Sequence, residues 1–314
     1  MTGDLFAAVQ IDEFAALARR LPPAIRFGTS SWNYPGWQGL VYQELRPSRT
    51  DSAALLEEYA RFPLFRTVGI DSSFYAPPTP ETLQRYAEHL PAGFPCVSKV
   101  WDRITIHTFS SLKDPKQGGE RNPDFLSPDL FLESVYEPYA RHFAGHAGPF
   151  VFELQTIGGG VLDGDEFCEL LDRFFAELPR EGSYAVELRN EEFLIPRYFE
   201  VLARHGVAHL FNSWTRMPPI GAQLDLPGVF TGPFVVARAL LRPGRTYDEA
   251  VDSFAPYDRI REPIPELRDD LLRLMREALA RDLPAYILVN NRAEGSSPRT
   301  IAAIARMWAA MMTE

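Results

Sequence analysis

The chain has 314 residues, 46% of them hydrophobic, and a net charge of −10. It can therefore bury a large core, and duplex nucleic acid is not an expected partner. Its two cysteines, Cys96 and Cys168, exclude a disulfide framework and favour a cytoplasmic location, and no apolar run reaches the ~18 residues of a membrane span.

Residues 1–22 are predicted to form an N-terminal helical extension. Their early acidic residues and lack of an apolar segment do not fit a signal peptide. From residue 23 onward, short β-rich runs alternate with amphipathic helical patterns. The predicted strands are 24–30, 64–71, 94–100, 148–155, 183–189, 206–213, 232–239 and 284–291.

Helices are predicted between these strands, and Ser127 and Pro128 suit the cap and first turn of one of them. Eight strand-then-helix units indicate a parallel sheet closed into a single-domain α/β fold, the (β/α)8 TIM barrel, over 23–314. A flavodoxin-like sheet with a second domain is the alternative, but it needs a linker that the sequence lacks. The predicted helices are 52–62, 81–90, 127–143, 163–179, 191–205, 265–282 and 298–312.

Polar residues follow the apolar part of each predicted strand. In VFELQ and AVELR, strand alternation groups Glu153 with Gln155 and Glu187 with Arg189, away from the helix-facing side. Barrel enzymes place their sites at this carboxyl end of the strands. The candidate catalytic residues are therefore Lys99, Glu153, Glu187 and Asp71, and the candidate substrate-binding residues are Trp32, Tyr34, Tyr75, His107, Arg189, Arg238, Asn290 and Asn291.

Fixed cations beside carboxylates predict an enzyme, a hydrolase or isomerase, for a small anionic substrate bearing phosphate or carboxylate. A carboxylate beside apolar walls can have its pKa raised into the range of a general acid or base. The alternative is a structural layer of salt bridges, with Glu187–Arg189 and Lys99–Glu153 pairs that neutralise each other. A glycosidase would need two carboxylates such as Glu153 and Glu187 at a suitable separation.

A divalent-metal hydrolase or isomerase is a second hypothesis, with Asp71, Glu153, Glu187 and His107 as ligands. A divalent metal is the one cofactor that the residues suggest. A third hypothesis is a non-catalytic barrel that binds a nucleotide or a protein. The aromatic residues after the first two strands would then stack on a base, although their pattern favours a small core that holds the loops.

Two long loops interrupt the pattern. Residues 109–127 are rich in Gly, Pro and charge, which is typical of a lid or a loop tip. Residues 242–260 follow the seventh strand, where barrel enzymes often bind phosphate, and Arg242 and Arg245 are candidates for that role or for ordinary solvated arginines.

Six stretches resemble the DUF72 (YecE-like) family, in the family's order and across about 25–305. The resemblance implies a TIM barrel and leaves the activity open. It also implies a distant relation to the divalent-metal barrels that include endonuclease IV and xylose isomerase. The stretches are GTSSWNYPGWQGLVY (28–42), DSSFYAPP (71–78), FPCVSKVWDRITIH (94–107), GPFVFELQ (148–155), AVELRN (185–190) and VNNRAEGSSPRTI (289–301).

The chain departs from this family pattern at three places. Gly69 and Asp71 stand where the family usually has Glu-x-Asn, Glu153-Leu154-Gln155 stands where it has Gln-Leu-Pro after strand four, and Asn190 replaces His after Glu-x-Arg. These changes imply a divergent branch, in which a mechanism does not transfer directly. The matching positions are Lys99, Glu187, Arg189, Asn290, Asn291, Gly295 and Pro298.

Overall fold

Eight parallel strands form a nearly closed barrel in the computed structural model, which describes residues 2–43, 52–110, 117–241, 244–245 and 247–313. All eight predicted strands are present, and the predicted TIM barrel is confirmed. The second strand is much shorter than the predicted range 64–71, because residues 64–67 form the turn that leads into it. The strands are β1 Ile25–Thr29, β2 Val68–Ile70, β3 Cys96–Lys99, β4 Ala147–Glu153, β5 Tyr184–Glu187, β6 Ala208–Asn212, β7 Val235–Ala239 and β8 Ala285–Val289.

Helices surround the barrel and match the seven predicted patterns, apart from their ends. The fifth predicted helix starts at Pro196, because residues 191–193 form a separate 3-10 turn. Four short helices, Asp102–Thr105, Ile220–Leu224, Tyr247–Phe254 and Asn291–Glu294, were not predicted, since four to eight residues show little periodicity. The helices are α1 Thr2–Arg20, α2 Ser52–Arg61, α3 Pro80–His89, α4 Asp102–Thr105, α5 Pro128–Phe131, α6 Glu137–His142, α7 Gly164–Ala176, α8 Pro196–His205, α9 Ile220–Leu224, α10 Tyr247–Phe254, α11 Pro265–Ala280, α12 Asn291–Glu294 and α13 Ser297–Met311.

The third predicted helix, 127–143, is built from α5, a π-helical segment and α6. The segment Leu132–Tyr136 joins the two helices. Ser127 caps α5 as predicted, since its side chain accepts a hydrogen bond from the Leu130 amide at 3.3 Å, and Pro128 occupies the first position. Within the described ranges, no helix is both long and apolar enough to cross a membrane.

The barrel closes where β1 meets β2, the two ends of the strand order β1-β8-β7-β6-β5-β4-β3-β2. The Arg66 amide donates to the Phe27 carbonyl at 2.8 Å across this seam. Gly28 is required beside it, because a Cβ atom there would lie 2.2 Å from the Thr67 carbonyl oxygen. The Arg66 guanidinium donates to four carbonyls that precede or begin β1, those of Ala18, Leu21, Pro22 and Ile25.

The barrel interior is filled by an apolar layer, and the mouth lies above it. On β4 and β5, Val151 and Ala185 belong to this layer, whereas Phe152 and Val186 pack outward in the main core. Alternation therefore points Glu153 and Glu187, two residues further on, into the mouth as the sequence predicts. The layer comprises Val97, Val151, Ala185, Ala208, Leu210, Phe234, Val236, Tyr286 and Leu288.

Helix α1 packs on the outside of the barrel. Phe14 is buried with its ring 5.2 Å from that of Phe62. The Arg20 guanidinium donates to the Ala309 carbonyl at 2.6 Å, and Arg306 pairs with Glu13 at 2.7 Å. The predicted helical extension is thus a helix that contacts Phe62, just after α2, and the final helix α13.

Candidate functional site

Six charged side chains meet at the mouth of the barrel, and we call them the mouth cluster. Each follows the apolar part of a strand, on β2, β3, β4, β5 or β7. Three are cations and three are carboxylates, so their formal charges cancel. The cluster consists of Asp71, Lys99, Glu153, Glu187, Arg189 and Arg238.

Glu153 lies at the centre of the mouth cluster. Its Oε2 atom is 2.8 Å from Lys99 Nζ, 2.9 Å from Arg189 Nη2 and 2.8 Å from Arg238 Nη1. Its Oε1 atom accepts a hydrogen bond from Gln155 Nε2 at 2.8 Å. Burial alone would raise the pKa of Glu153, but the three cations outweigh it and hold that pKa well below its ordinary value. Glu153 is therefore ionised, and the raised pKa expected for a general acid is not found there.

Arg238 joins the three carboxylates. Its Nη2 atom donates to Asp71 at 2.7 Å, and its Nη1 atom donates to Glu153 at 2.8 Å and to Glu187 at 2.6 Å. Burial would lower the pKa of Arg238, but the carboxylates outweigh it and raise that pKa, so the guanidinium stays charged. The carboxylates proposed as metal ligands thus converge on a guanidinium. In the part of the chain that the structure describes, no group of three or more His, Cys, Asp or Glu side chains is placed to hold a metal ion.

Three atoms of the mouth cluster are buried and have no hydrogen-bond partner among the residues that the structure describes: Glu187 Oε1, Arg189 Nη1 and Arg238 Nε. Arg189 Nη2 does lie 2.8 Å from Glu187 Oε1, which is an ion pair by distance that lacks the angle of a hydrogen bond. Buried polar atoms are nearly always hydrogen-bonded, so these three need a ligand or an ordered water. Two of these atoms, Glu187 Oε1 and Arg189 Nη1, belong to side chains that form an ion pair with each other.

Aromatic rings support two of the three cations. The Arg189 guanidinium carbon is 4.1 Å from the Trp214 ring centre, and Lys99 Nζ is 4.9 Å from that of Phe74. Both are within the range of cation–π attraction. The side chains of Asp71 and Lys99 are 23% and 13% exposed, whereas Glu187 is fully buried, so the mouth cluster opens to solvent on the Asp71 side.

Comparison with known proteins agrees with the fold. The family model for DUF72, described as a protein of unknown function, matches residues 26–314. The chain belongs to the DUF72 family. No curated protein matches the chain.

Solved structures of DUF72 proteins share the architecture. A DUF72 family protein (EF0366) of Enterococcus faecalis V583, at 3.10 Å resolution, matches with a TM-score of 0.62 and 16% identity, over 90% of this chain and 94% of that one. A DUF72 family protein (TM1631) of Thermotoga maritima MSB8 matches with a TM-score of 0.57 and 18% identity, over 92% and 99%. At such identities, the likeness shows the fold alone.

The aromatic candidates of this DUF72 chain are placed unevenly. Trp32 is 3% exposed and its Nε1 atom donates to the Ser52 carbonyl at 2.7 Å, so it belongs to the core beneath the loops. Tyr34 is half-buried, with its ring 4.8 Å from that of Trp37. Tyr75, by contrast, is 72% exposed next to Phe74 and can meet a ligand at the rim.

Asn290 and Asn291 use their side-chain oxygens to build the loop after β8. Asn290 Oδ1 caps α12 by accepting from the Arg292 amide at 2.9 Å. Asn291 Oδ1 accepts from the Ser297 amide at 2.8 Å and from Trp37 Nε1 at 3.3 Å. Both residues therefore have structural contacts that explain their presence, and their predicted substrate contacts stay a prediction.

His107 packs within the loop that follows α4 and not in the mouth cluster. It is 5% exposed, its Nδ1 atom is 2.9 Å from Thr108 Oγ1, and its ring contacts that of Phe125. Burial, together with the positive charge of Arg121, lowers the pKa of His107. A neutral imidazole in this position does not join Asp71 and the glutamates as a metal ligand.

The described parts of the two long loops place no side chain in the mouth cluster. Thr108 and Arg121 pair across the base of the first loop, and residues 111–116 of the predicted lid lie outside the described ranges. Arg242 is also outside them. Arg245 donates to both oxygens of Glu262, at 3.0 and 2.9 Å, so it is engaged in an internal ion pair.

A cavity of about 410 Å³ lies away from the mouth, between α7 and α8. Cys168, Asp172 and Arg197 are among its lining residues. Burial raises the pKa of the Cys168 thiol to about 11, so the thiol stays protonated and unreactive at neutral pH. The strand-end residues, and not this cavity, are the better candidate site.

Sequence reasoning missed Trp214 and Phe74 as partners of the cations. Trp214 follows β6 directly, the same strand-end position that identified the charged residues. That position was the available signal, but stacking on Arg189 depends on side-chain directions that no sequence pattern specifies.

Proposed function

We propose that the mouth of this DUF72 barrel is the active site of an enzyme for a small anionic substrate that bears a phosphate or carboxylate group. The observation that carries the proposal is the Nη1 atom of Arg189, a charged donor that is buried yet has no hydrogen-bond partner in the described ranges of the chain. A guanidinium with one occupied and one free edge suits an incoming oxyanion.

Two cations are available to the anionic group. Lys99 Nζ and Arg189 Nη2 contact the same oxygen of Glu153, at 2.8 and 2.9 Å, so the two side chains lie close enough for one phosphate or carboxylate to bridge Lys99 Nζ and the free Nη1 atom of Arg189. Lys99 is also one of the more exposed members of the mouth cluster, at 13%. The substrate would approach from the Asp71 side and displace water from the free edge of Arg189.

Proton transfer falls to Glu187 in this proposal. Its Oε1 atom is buried and lacks a hydrogen bond, and it faces the same guanidinium that would hold the anion. A hydroxyl or acidic C–H next to the anionic group would meet this oxygen. Glu153, held ionised, would balance the cations. These roles correspond to hydrolase or isomerase chemistry on a small polar metabolite.

A purely structural layer of salt bridges explains these atoms less well. Buried ion pairs contribute to stability only when their remaining donors and acceptors are hydrogen-bonded, and three atoms here are not. Small substrates also agree with the net charge of −10, which opposes duplex nucleic acid. The two free cysteines, both buried, support our further proposal of a cytoplasmic location.

Binding of inorganic phosphate and of malonate, followed by isothermal titration calorimetry, tests the proposal. We expect the parent to bind at least one of them, and Arg189→Met to lose that binding by more than tenfold. Arg141→Met is the matched control, because Arg141 forms an exposed ion pair with Glu137 on α6 and should bind like the parent. Equal binding by the parent and Arg189→Met, or no binding of either anion to the parent, would contradict the proposal.

A further inference from the structure

We infer that Trp214 and Asn212 are positioning residues for Arg189, and that together they hold its free Nη1 edge toward the ligand. This inference rests on the proposed function, since it concerns the same anion site. Neither residue belongs to the mouth cluster. The inference rests on two observations. The Trp214 ring stacks on Arg189, and Asn212 forms hydrogen bonds with the backbone segments that carry these two side chains.

The ring of Trp214 fixes one face of Arg189. The guanidinium carbon lies 4.1 Å from the ring centre, so the plane of the ring limits the directions open to the side chain. The ring itself cannot move freely, because it packs against the apolar group formed by Leu240, Leu241, Ala250 and Phe254. Arg189 thus forms its ion pairs through Nη2, and the stacked ring fixes the plane in which the free Nη1 atom lies.

Asn212 connects the backbone segments that carry Arg189 and Trp214. Its Nδ2 atom donates to the carbonyl of Leu188, the residue before Arg189, at 3.0 Å. Its Oδ1 atom accepts from the backbone amide of Trp214, also at 3.0 Å. One buried amide side chain therefore sets the distance between the backbone that carries the guanidinium and the backbone that carries the ring.

A second amide supports Asn212 from behind. Gln223 Nε2 donates to the Asn212 carbonyl at 2.8 Å and to the Pro218 carbonyl at 2.6 Å, which fixes both ends of the loop after β6. Every polar atom of the Asn212 side chain has a partner, unlike those of Arg189. The contrast fits a rigid support beneath a donor that is kept free for a ligand.

Phosphate titrations of Trp214 variants test this inference. We expect Trp214→Ala to bind phosphate about tenfold more weakly than the parent, the scale of a partly buried cation–π contact, and Trp214→Phe to restore most of the affinity. Asn212→Ala should weaken binding by a similar factor. Because both residues act through one stack, the double variant should bind no more weakly than Trp214→Ala.

Tryptophan fluorescence supplies a readout that a merely structural role would not move. Phosphate should change the emission of the parent and of Trp308→Phe, whose altered ring lies in α13, but not that of Trp214→Phe, although that variant still binds. Parent-like phosphate affinity of Trp214→Ala, with a lowered melting temperature alone, would overturn the inference and leave the proposed function intact. Parent-like affinity of Arg189→Met would overturn the proposed function as well.

Discussion

Two buried glutamates of this molecule meet arginine in different ways. Glu294, fully buried between α12 and α13, accepts from the Ile264 amide, from both Nε and Nη2 of Arg268, and from Thr300 Oγ1. Glu187 is equally buried, but its Oε1 atom has no hydrogen bond and the arginine beside it keeps a free edge. The Glu294–Arg268 ion pair is saturated, whereas the mouth cluster keeps unused donors and acceptors.

The difference shows which region serves stability. Every contact of Glu294 joins segments that must meet for the chain to fold, the start of α11 and the first turn of α13. The mouth cluster instead concentrates six charges at one place and leaves three buried atoms without partners among the described residues, which costs free energy unless a ligand or an ordered water completes them. Stability and function can therefore be separated by changing one arginine in each region.

The largest expected effect comes from the saturated pair. Arg268→Met leaves the Glu294 carboxylate buried with no cation, so we expect a loss of about 3–5 kcal/mol in the free energy of unfolding. Urea unfolding at pH 7 measures it. The exposed control Arg141→Met should stay within about 0.5 kcal/mol of the parent. A loss below about 1 kcal/mol for Arg268→Met would contradict the claim that the Glu294–Arg268 ion pair serves stability.

Unfolding measurements at low pH that compare the two regions must first account for His209, which belongs to neither of them. Burial lowers the pKa of His209 from 6.5 to about 4. Between these values the unfolded chain binds the extra proton, so the free energy of unfolding should fall by on the order of 3 kcal/mol as the pH drops from 6.5 to 4.

The variant His209→Gln isolates this effect. It lacks the titrating imidazole but keeps a polar side chain near Tyr198 and Gln223, the hydrogen-bond partners of His209. Urea unfolding between pH 7 and 5 should therefore show a stability that falls less steeply for His209→Gln than for the parent, with a residual slope from His107, whose pKa burial also lowers. Equal slopes for the two proteins would show that His209 does not remain neutral in the fold.

Glu153 gives a smaller effect at lower pH. Its pKa in the fold lies well below 4.5, so its contribution to stability is complete above pH 4.5 and is lost as the pH falls further. Glu153→Gln should cost about 2 kcal/mol at pH 7, the scale of hydrogen bonds to a charged group. The gap between parent and variant, measured by urea unfolding in the His209→Gln background, should narrow below pH 4.5. A gap that widens there would contradict the ionised state of Glu153.

Much of the barrel could be predicted from local patterns, because each buried strand is an apolar run of fixed period. The same alternation placed Glu153 and Glu187 in the mouth. The pairing of Arg238 with Asp71, 167 residues apart, could not be predicted, since it depends on how far each side chain reaches across a closed barrel. Trp32 follows β1 closely, yet its ring is buried in the main core, and His107 lies in the loop after α4, away from the strand ends.

Arg189→Met, studied by thermal unfolding with and without phosphate, tests the central claim most directly. Glu153 keeps Lys99 and Arg238 when Arg189 is removed, and Glu187 keeps Arg238, so no carboxylate loses its last cation. We expect the melting temperature to change by less than about 3 °C, and the rise that phosphate causes in the parent to disappear. A drop of more than about 10 °C, with no anion that stabilises the parent, would instead identify the mouth cluster as a structural layer of salt bridges.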